Sequence, residues 1–262
     1  MTRWIAGDLP KDFRDSLNYR RTVEDDRREN AEKRTWLCQY TNIESLYKII
    51  SNKTIRFTRV DKVNDISEKD LLEIDNLYLR TYISCFSYDS KESIPLWSIY
   101  TKRGSGVRID FEFLENNIQN LFIGLDKNTL SEPKANEEYD FSEFRTYIHD
   151  VEYSDLPSVR PIMQKENDVF ITPRAIAFQK STEWEYEKET RITMISRLHN
   201  IEVPPYLDFL LDFSKIKSIC IVFDPWMSSE IKTSIKLTVN HFMGSLSNIV
   251  NCKNSCLEGR IR

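Results

Sequence analysis

Half of the residues from Glu183 to Met194, EWEYEKETRITM, carry a charge, yet the stretch leads directly into Ile192, Met194 and Ile195. Few folds can absorb such a segment. Side chains of a β-strand alternate between two faces. On that reading Glu187, Glu189 and Arg191 line one face, and Ile192 and Met194 point the other way. The apolar face requires a core, and the polar face becomes a strip of two carboxylates and a guanidinium held against it. Close carboxylates shift each other's proton affinity and can stabilise a developing cation. The plainer alternative is a solvated strand edge on which the arginine partners the acids.

A chain of 262 residues can bury a sizeable core. With 40% hydrophobic and 30% charged residues it has an ordinary soluble composition. A net charge of −4 disfavours general duplex DNA binding, which is driven by basic contacts to phosphate. MTRWIAGDLPKDFRD is charged throughout and no run reaches membrane-span length, so no membrane association and a cytoplasmic location are expected. The five cysteines are scattered; Cys38, Cys85 and Cys220 lie in apolar runs and read as buried thiols. Cys252 and Cys256 have no histidine near them in sequence, and His149, His199 and His241 are the only histidines, so no metal site is expected.

Along the chain, residues 11–34 mix charges at helical spacing and read as an exposed helical arm, 1–34, that packs on the body or on a partner. TWLCQYTN reads as a strand ending at a helix cap, Asn42. IESLYKIISN then places Ile43, Leu46, Tyr47 and Ile50 on one helical stripe, and IRFTRV as a second strand. A helix is expected from Ser67 through LLEIDNLYLR, a buried strand at YISCFS, a Pro-initiated helix at IPLWSIYT and a strand at GVRIDFEF. Residues 125–142 read as a polar excursion, 144–154 as a strand, about 165–180 as a helix broken by Pro173, Ile219–Phe223 as a buried strand and 228–246 as a last helix. This mixture predicts one α+β domain over 35–262, a mixed and largely antiparallel sheet with helices around it. GSG at 104–106 is too short for a dinucleotide fingerprint and precedes a strand.

The order of short motifs carries a resemblance. Q-Y-T-N with L-Y-K-I-I is followed by I-R-F-T-R-V with V-N-D-I-S-E, then S-C-F-S, then L-W-S-I-Y with a Gly turn and G-V-R-I-D-F, then E-W-E-Y-E-K-E-T-R-I. Over about residues 35–230 this resembles an uncharacterised bacterial domain-of-unknown-function family with Y-x-Y, L-R-F-S, F-N-D-P-x-E, S-F-S, L-W-x-x-Y and W-x-x-E-x-E-x-R in that order. Val63 stands in place of the family's Phe, and Ile66 and Ser67 in place of its Pro-aromatic pair. The family's layout is in turn similar to the ADP-ribosyltransferase fold.

That resemblance implies an NAD-dependent ADP-ribosyltransferase or NAD glycohydrolase of bacterial stress or phage defence, with NAD as substrate and no metal. Glu189 would stabilise the cationic ribose and Glu187 orient the acceptor or water. Tyr40 would stack on nicotinamide and the backbone of Thr41 hold its amide, Arg59 would clamp a phosphate, and Ser87 and Tyr100 would line the pocket. Against each stands a structural alternative: Glu189 paired with Arg191, Tyr40 as a core aromatic. The other functional reading is a non-catalytic module that binds a nucleotide, or a partner protein through the N-terminal helix.

Overall fold

The computed structural model describes residues 26–63, 78–114, 118–126, 144–154, 162–165, 168–171, 177–196 and 204–261. Helix α1 covers 26–32. It is followed by β1 (Trp36–Asn42), α2 (Ile43–Asn52), β2 (Thr54–Arg59), β3 (Thr81–Ser87), α3 (Ile94–Tyr100), β4 (Gly106–Phe113) and β5 (Phe122–Leu125). Then come β6 (Phe144–Asp150), β7 (Glu152–Tyr153), β8 (Ile162–Lys165), β9 (Asp168–Ile171) and β10 (Gln179–Lys180). A 3-10 turn (Thr182–Glu187) leads into β11 (Glu189–Ser196), β12 (Tyr206–Leu211), β13 (Ile216–Phe223), α4 (Ser229–Met243) and β14 (Val250–Asn254).

Local chemistry sets the helix starts. The Asn42 side chain accepts from Ser45 N–H at 2.8 Å and caps α2. Ser93 caps α3, where Pro95 occupies the first turn and needs no N–H partner. Leu46, Ile49 and Ile50 of α2 and Ile235, Val239 and Met243 of α4 are buried in the main core, and the two helices pack on each other. Beneath them the aromatic rings of Phe57, Phe122, Phe144 and Phe209 meet edge to face. On the opposite face, Cys38, Tyr40 and Val222 pack against Leu96 and Trp97 of α3.

The fold is α+β with a large mixed, mostly antiparallel sheet. Its topology turns on β3. Strand β11 pairs with β3 from Thr81 to Ser87 and β6 lies beyond β11. Strands β1 and β2 must therefore share the other edge of β3. β1 joins at Cys38↔Ser87 and β2 at Thr58↔Ile83 and Arg59↔Tyr82. From β1 the sheet continues through β4 and β13 to β14, and from β2 through β12 to β5.

Three expectations need correction. Among the described residues no helix covers 165–180: β8 and β9 pair antiparallel, and β10 pairs in parallel with β7. The charged run is not one strand either. Thr182–Glu187 coils, Lys188 turns through the left-handed region at φ 45°, and only then does β11 begin. At three residues per turn, Trp184 and Glu187 eclipse on one side while Glu183 and Glu185 reach solvent, a better placement for four acids than strand alternation offers. The last helix stops at Met243, and β14, not anticipated, adds to β13 in parallel. The expected helix from Ser67 lies largely outside the described residues, as do most of the 125–142 excursion and residues 1–25 of the arm. The arm's described end docks: Arg27 donates to the Val151 carbonyl at 2.8 Å, and Arg34 pairs with Asp150.

Phe209→Ala should lower the unfolding free energy by about 3–5 kcal/mol, because it empties the centre of the aromatic cluster. Leu237→Ala, at a position 67% exposed, should stay within about 0.5 kcal/mol. Urea titration of both variants distinguishes this core from one centred elsewhere; equal losses would refute it.

Candidate functional site

The cleft opens where β3 loses its partners. Between Ser87, held by β1, and Ile83, held by β2, residues Ser84 to Phe86 have no strand partner on that edge among the described residues. Gln39 reaches across the break, its Nε2 donating to the Cys85 carbonyl at 3.2 Å. The resulting cavity, about 270 Å³, is bounded by Cys38–Tyr40 of β1, Arg56 and Thr58 of β2, Ile83–Ser87 of β3 and Tyr100 of α3. Trp184 and Glu187 of the 3-10 turn, Lys180 of β10, and Glu189 and Arg191 of β11 complete it.

The acids meet here with a shared cation. Lys180 Nζ lies 2.6 Å from Glu187 Oε2 and 2.9 Å from Glu189 Oε2. Arg191 donates to both oxygens of Glu189, Nε to Oε1 at 2.8 Å and Nη2 to Oε2 at 3.2 Å, and its Nη1 donates to the Ala177 carbonyl. Tyr100 Oη donates to Glu187 Oε1. All four charged side chains are buried. Burial works to raise the pKa of Glu189, but Arg191 and Lys180 together outweigh it and hold the carboxyl at about 2. Burial raises that of Glu187, assisted by the Glu189 charge and only partly offset by Lys180. Two neighbouring carboxyls are thus driven apart in proton affinity, as groups with an acid–base division of labour are. Lys180 stays charged despite burial because both acids face it.

A second layer fixes this strip. Tyr153 Oη accepts from Glu189 N–H at 2.8 Å, and Thr190 Oγ1 donates to Asp150, the residue that also pairs with Arg34 of the arm. The α3 wall is tied down at both ends. Glu92, just before it, accepts from Trp97 Nε1, Ser255 Oγ and Cys256 N–H. At the other end Thr101 packs so closely on Gly106 that a Cβ there would lie 2.1 Å from Thr101 Cβ.

Of the residues singled out in the sequence, Tyr40, Ser87, Tyr100, Glu187 and Glu189 border one cleft. Tyr40 is held by Trp97 edge to face at 4.9 Å and by Ser93 N–H, and burial pushes its phenol up to about 12. Thr41 lies off the cleft, on the other face of β1, paired with Val107. Arg59 also lies off it, engaged with Asp61 at 2.5 Å; Arg56, two-handed with Asp208, borders the cleft instead. Lys180 was missed. The expected helix over 165–180 hid it, and its place depends on the two-residue pairing of β10 with β7.

Among the described residues no group of three or more His, Cys, Asp or Glu side chains is placed to hold a metal ion, and no helix is long and apolar enough to cross a membrane. Residues 96–192 match the model of a family described as a protein of unknown function, DUF2971. The matched stretch runs from α3 into β11 and contains Tyr100, Lys180, Glu187, Glu189 and Arg191, so the resemblance to an uncharacterised family holds there. No curated protein and no solved structure matches the chain.

Glu189→Gln should leave Arg191 and Lys180 short of a counter-charge and destabilise the fold at neutral pH by about 3–5 kcal/mol. Because the native pKa is near 2 against an ordinary 4.5, the contribution of this carboxylate is fully present above pH 4.5 and is lost as pH falls through 2. Thermal melts should therefore show a deficit that is largest at pH 7 and closes between pH 4.5 and 2. A deficit constant over that range would show that the ionised carboxylate is not the cause.

Proposed function

We propose that the cleft cleaves the bond between nicotinamide and ribose in NAD and passes ADP-ribose to water or to an acceptor, on an ADP-ribosyltransferase-like layout. The observation that carries this is the pair Glu187 and Glu189, bridged by Lys180 and driven to opposite proton affinities. Both carboxylates lie within hydrogen-bond reach of one ammonium, close enough to act on a single ribose.

The chemistry follows from charge. As the C1′–N bond breaks, its electron pair moves to the pyridinium nitrogen and neutralises it, so the leaving group needs no proton. Positive charge moves to the ribose, where the ionised Glu189 is the fixed anion that stabilises it. The incoming oxygen nucleophile loses a proton to Glu187, whose raised pKa brings it nearer the working pH of a general base. Tyr100 and Lys180 orient Glu187, and Trp184 and Tyr40 present aromatic surface for the flat base.

The second reading, a nucleotide-binding module without chemistry, draws on the closed pairing of Glu189 with Arg191. Glu187→Gln separates the two, since Glu187 contacts no guanidinium and its amide remains nearly isosteric. Nicotinamide release at millimolar NAD should fall about 100-fold or more in this variant with the melting temperature little changed. Wild-type protein that binds NAD without releasing nicotinamide would favour the module; no binding at all would remove both.

A further inference from the structure

A second hollow shares no residue with the cleft. It is a groove of about 580 Å³ beside α3, lined by Ile94, Trp97, Ser98, Arg103, Trp226 and Ile261. Its walls come from three distant parts of the chain. Ile94 and Ser98 lie one turn apart on α3 and share a face. Trp226 is fixed from behind: its backbone N–H donates to Asp224 Oδ1 at 2.8 Å, and Asp224, fully buried, also accepts from Thr101 Oγ1. Gly104, in the left-handed region at φ 78°, lets the turn before β4 close on it; a Cβ there would stand 3.3 Å from the Trp226 carbonyl oxygen. Ile261 follows Ser255 and Cys256, which Glu92 holds. The groove is thus built by the fold of the free protein.

Its surface is apolar, with charge of one sign. Ile94 is 44% exposed, and α3 also exposes Ile99. Grouped large apolar side chains on a surface mark a contact with another molecule. The guanidinium carbon of Arg103 lies 4.8 Å from the centroid of the Trp226 ring. Arg103 is exposed, and among the described residues no carboxylate pairs with it and no acid lines the groove. Arg260, just before Ile261, is exposed as well. In the cleft, by contrast, Arg56, Lys62, Lys180 and Arg191 all have acidic partners. A guanidinium resting on an indole still presents its N–H groups in its own plane, where a carboxylate accepts two at once. On a chain of net charge −4, an arginine left without a counter-charge at an apolar groove selects an anionic partner.

We infer that this groove docks a segment of a partner protein in which an apolar side chain stands beside an aspartate or glutamate. The apolar side chain enters between Ile94, Trp97 and Trp226, and the carboxylate pairs with Arg103. Nucleic acid is the poorer fit. A base would stack on Trp226, but two arginines do not supply the run of phosphate contacts that holds a strand. The inference does not depend on NAD cleavage. Trp97 nonetheless joins the two hollows: it lines the groove, and its ring meets that of Tyr40 in the cleft edge to face.

The test selects random peptides, displayed on phage, on the immobilised full-length protein, with Arg103→Glu as counter-selection. Enriched sequences should combine leucine or an aromatic residue with aspartate or glutamate. Labelled synthetic copies, followed by fluorescence anisotropy, should bind Arg103→Ala about tenfold or more weakly than wild type, as loss of a charge-assisted hydrogen bond requires. Ile94→Ser should also weaken them, and lysine in place of the peptide's acids should abolish binding. Both substituted positions are exposed, so both variants should melt with wild type, and lost binding would not reflect lost fold. No enriched peptide, enriched peptides without an acidic excess, or affinity unchanged in both variants overturns the inference. An oligothymidine that binds more tightly than the peptides, and does so through Arg103, overturns it in favour of nucleic acid.

Discussion

A β-strand has two edges, and each position on an edge can pair with one neighbour. β11 occupies one edge of β3 along its whole length, so β1 and β2 divide the other. They reach it from opposite ends and stop short of each other. The sheet forks there because the helices above it hold the branches apart: α2 connects β1 to β2 and packs against α4 on the core face. The cavity is the space left by that division, and the residues that border it come from segments far apart in the chain.

Charge fills the space that pairing leaves. Removing two carboxylates, an ammonium and a guanidinium from water is unfavourable, and burial of matched ions seldom adds net stability over apolar packing. Their retention beside a cavity fits use better than support. The arrangement is asymmetric in a way support alone does not require. Glu189 is closed by Arg191, Lys180 and the hydroxyl of Tyr153 at its backbone, while among the described residues the Glu187 carboxylate meets only Tyr100 and Lys180.

What could be read in the sequence was local. Asn42, Ser93 and Pro95 act on the residues beside them, so the starts of α2 and α3 were visible. Strand alternation put Glu189 and Arg191 opposite Ile192 and Met194, and that phase holds in β11. It failed immediately before Glu189, over Thr182–Glu187, because six residues are too few to tell a period of two from a period of three. The pairing of β13 with β14 was invisible for a different reason: VNCKN is short, polar at its ends and drawn into place only by a strand already formed. Arg59 looked suitable for a phosphate, but Arg56 borders the cavity; the partners Asp61 and Asp208 settle the two side chains, the second of them 152 residues from Arg56.

The tie between Glu92 and Ser255 spans 163 residues, and that to Cys256 spans 164. On a ribosome, Tyr100 leaves the exit tunnel long before either. During synthesis, the end of the cavity wall that Tyr100 supplies is therefore tied down only once Ser255 and Cys256 are free to reach Glu92. Closing so long a loop is also entropically slow in a free chain. One anchor of the cavity is thus made long after the residues it fixes, so the nascent polypeptide carries Tyr100 for some time before the tie beside it can form.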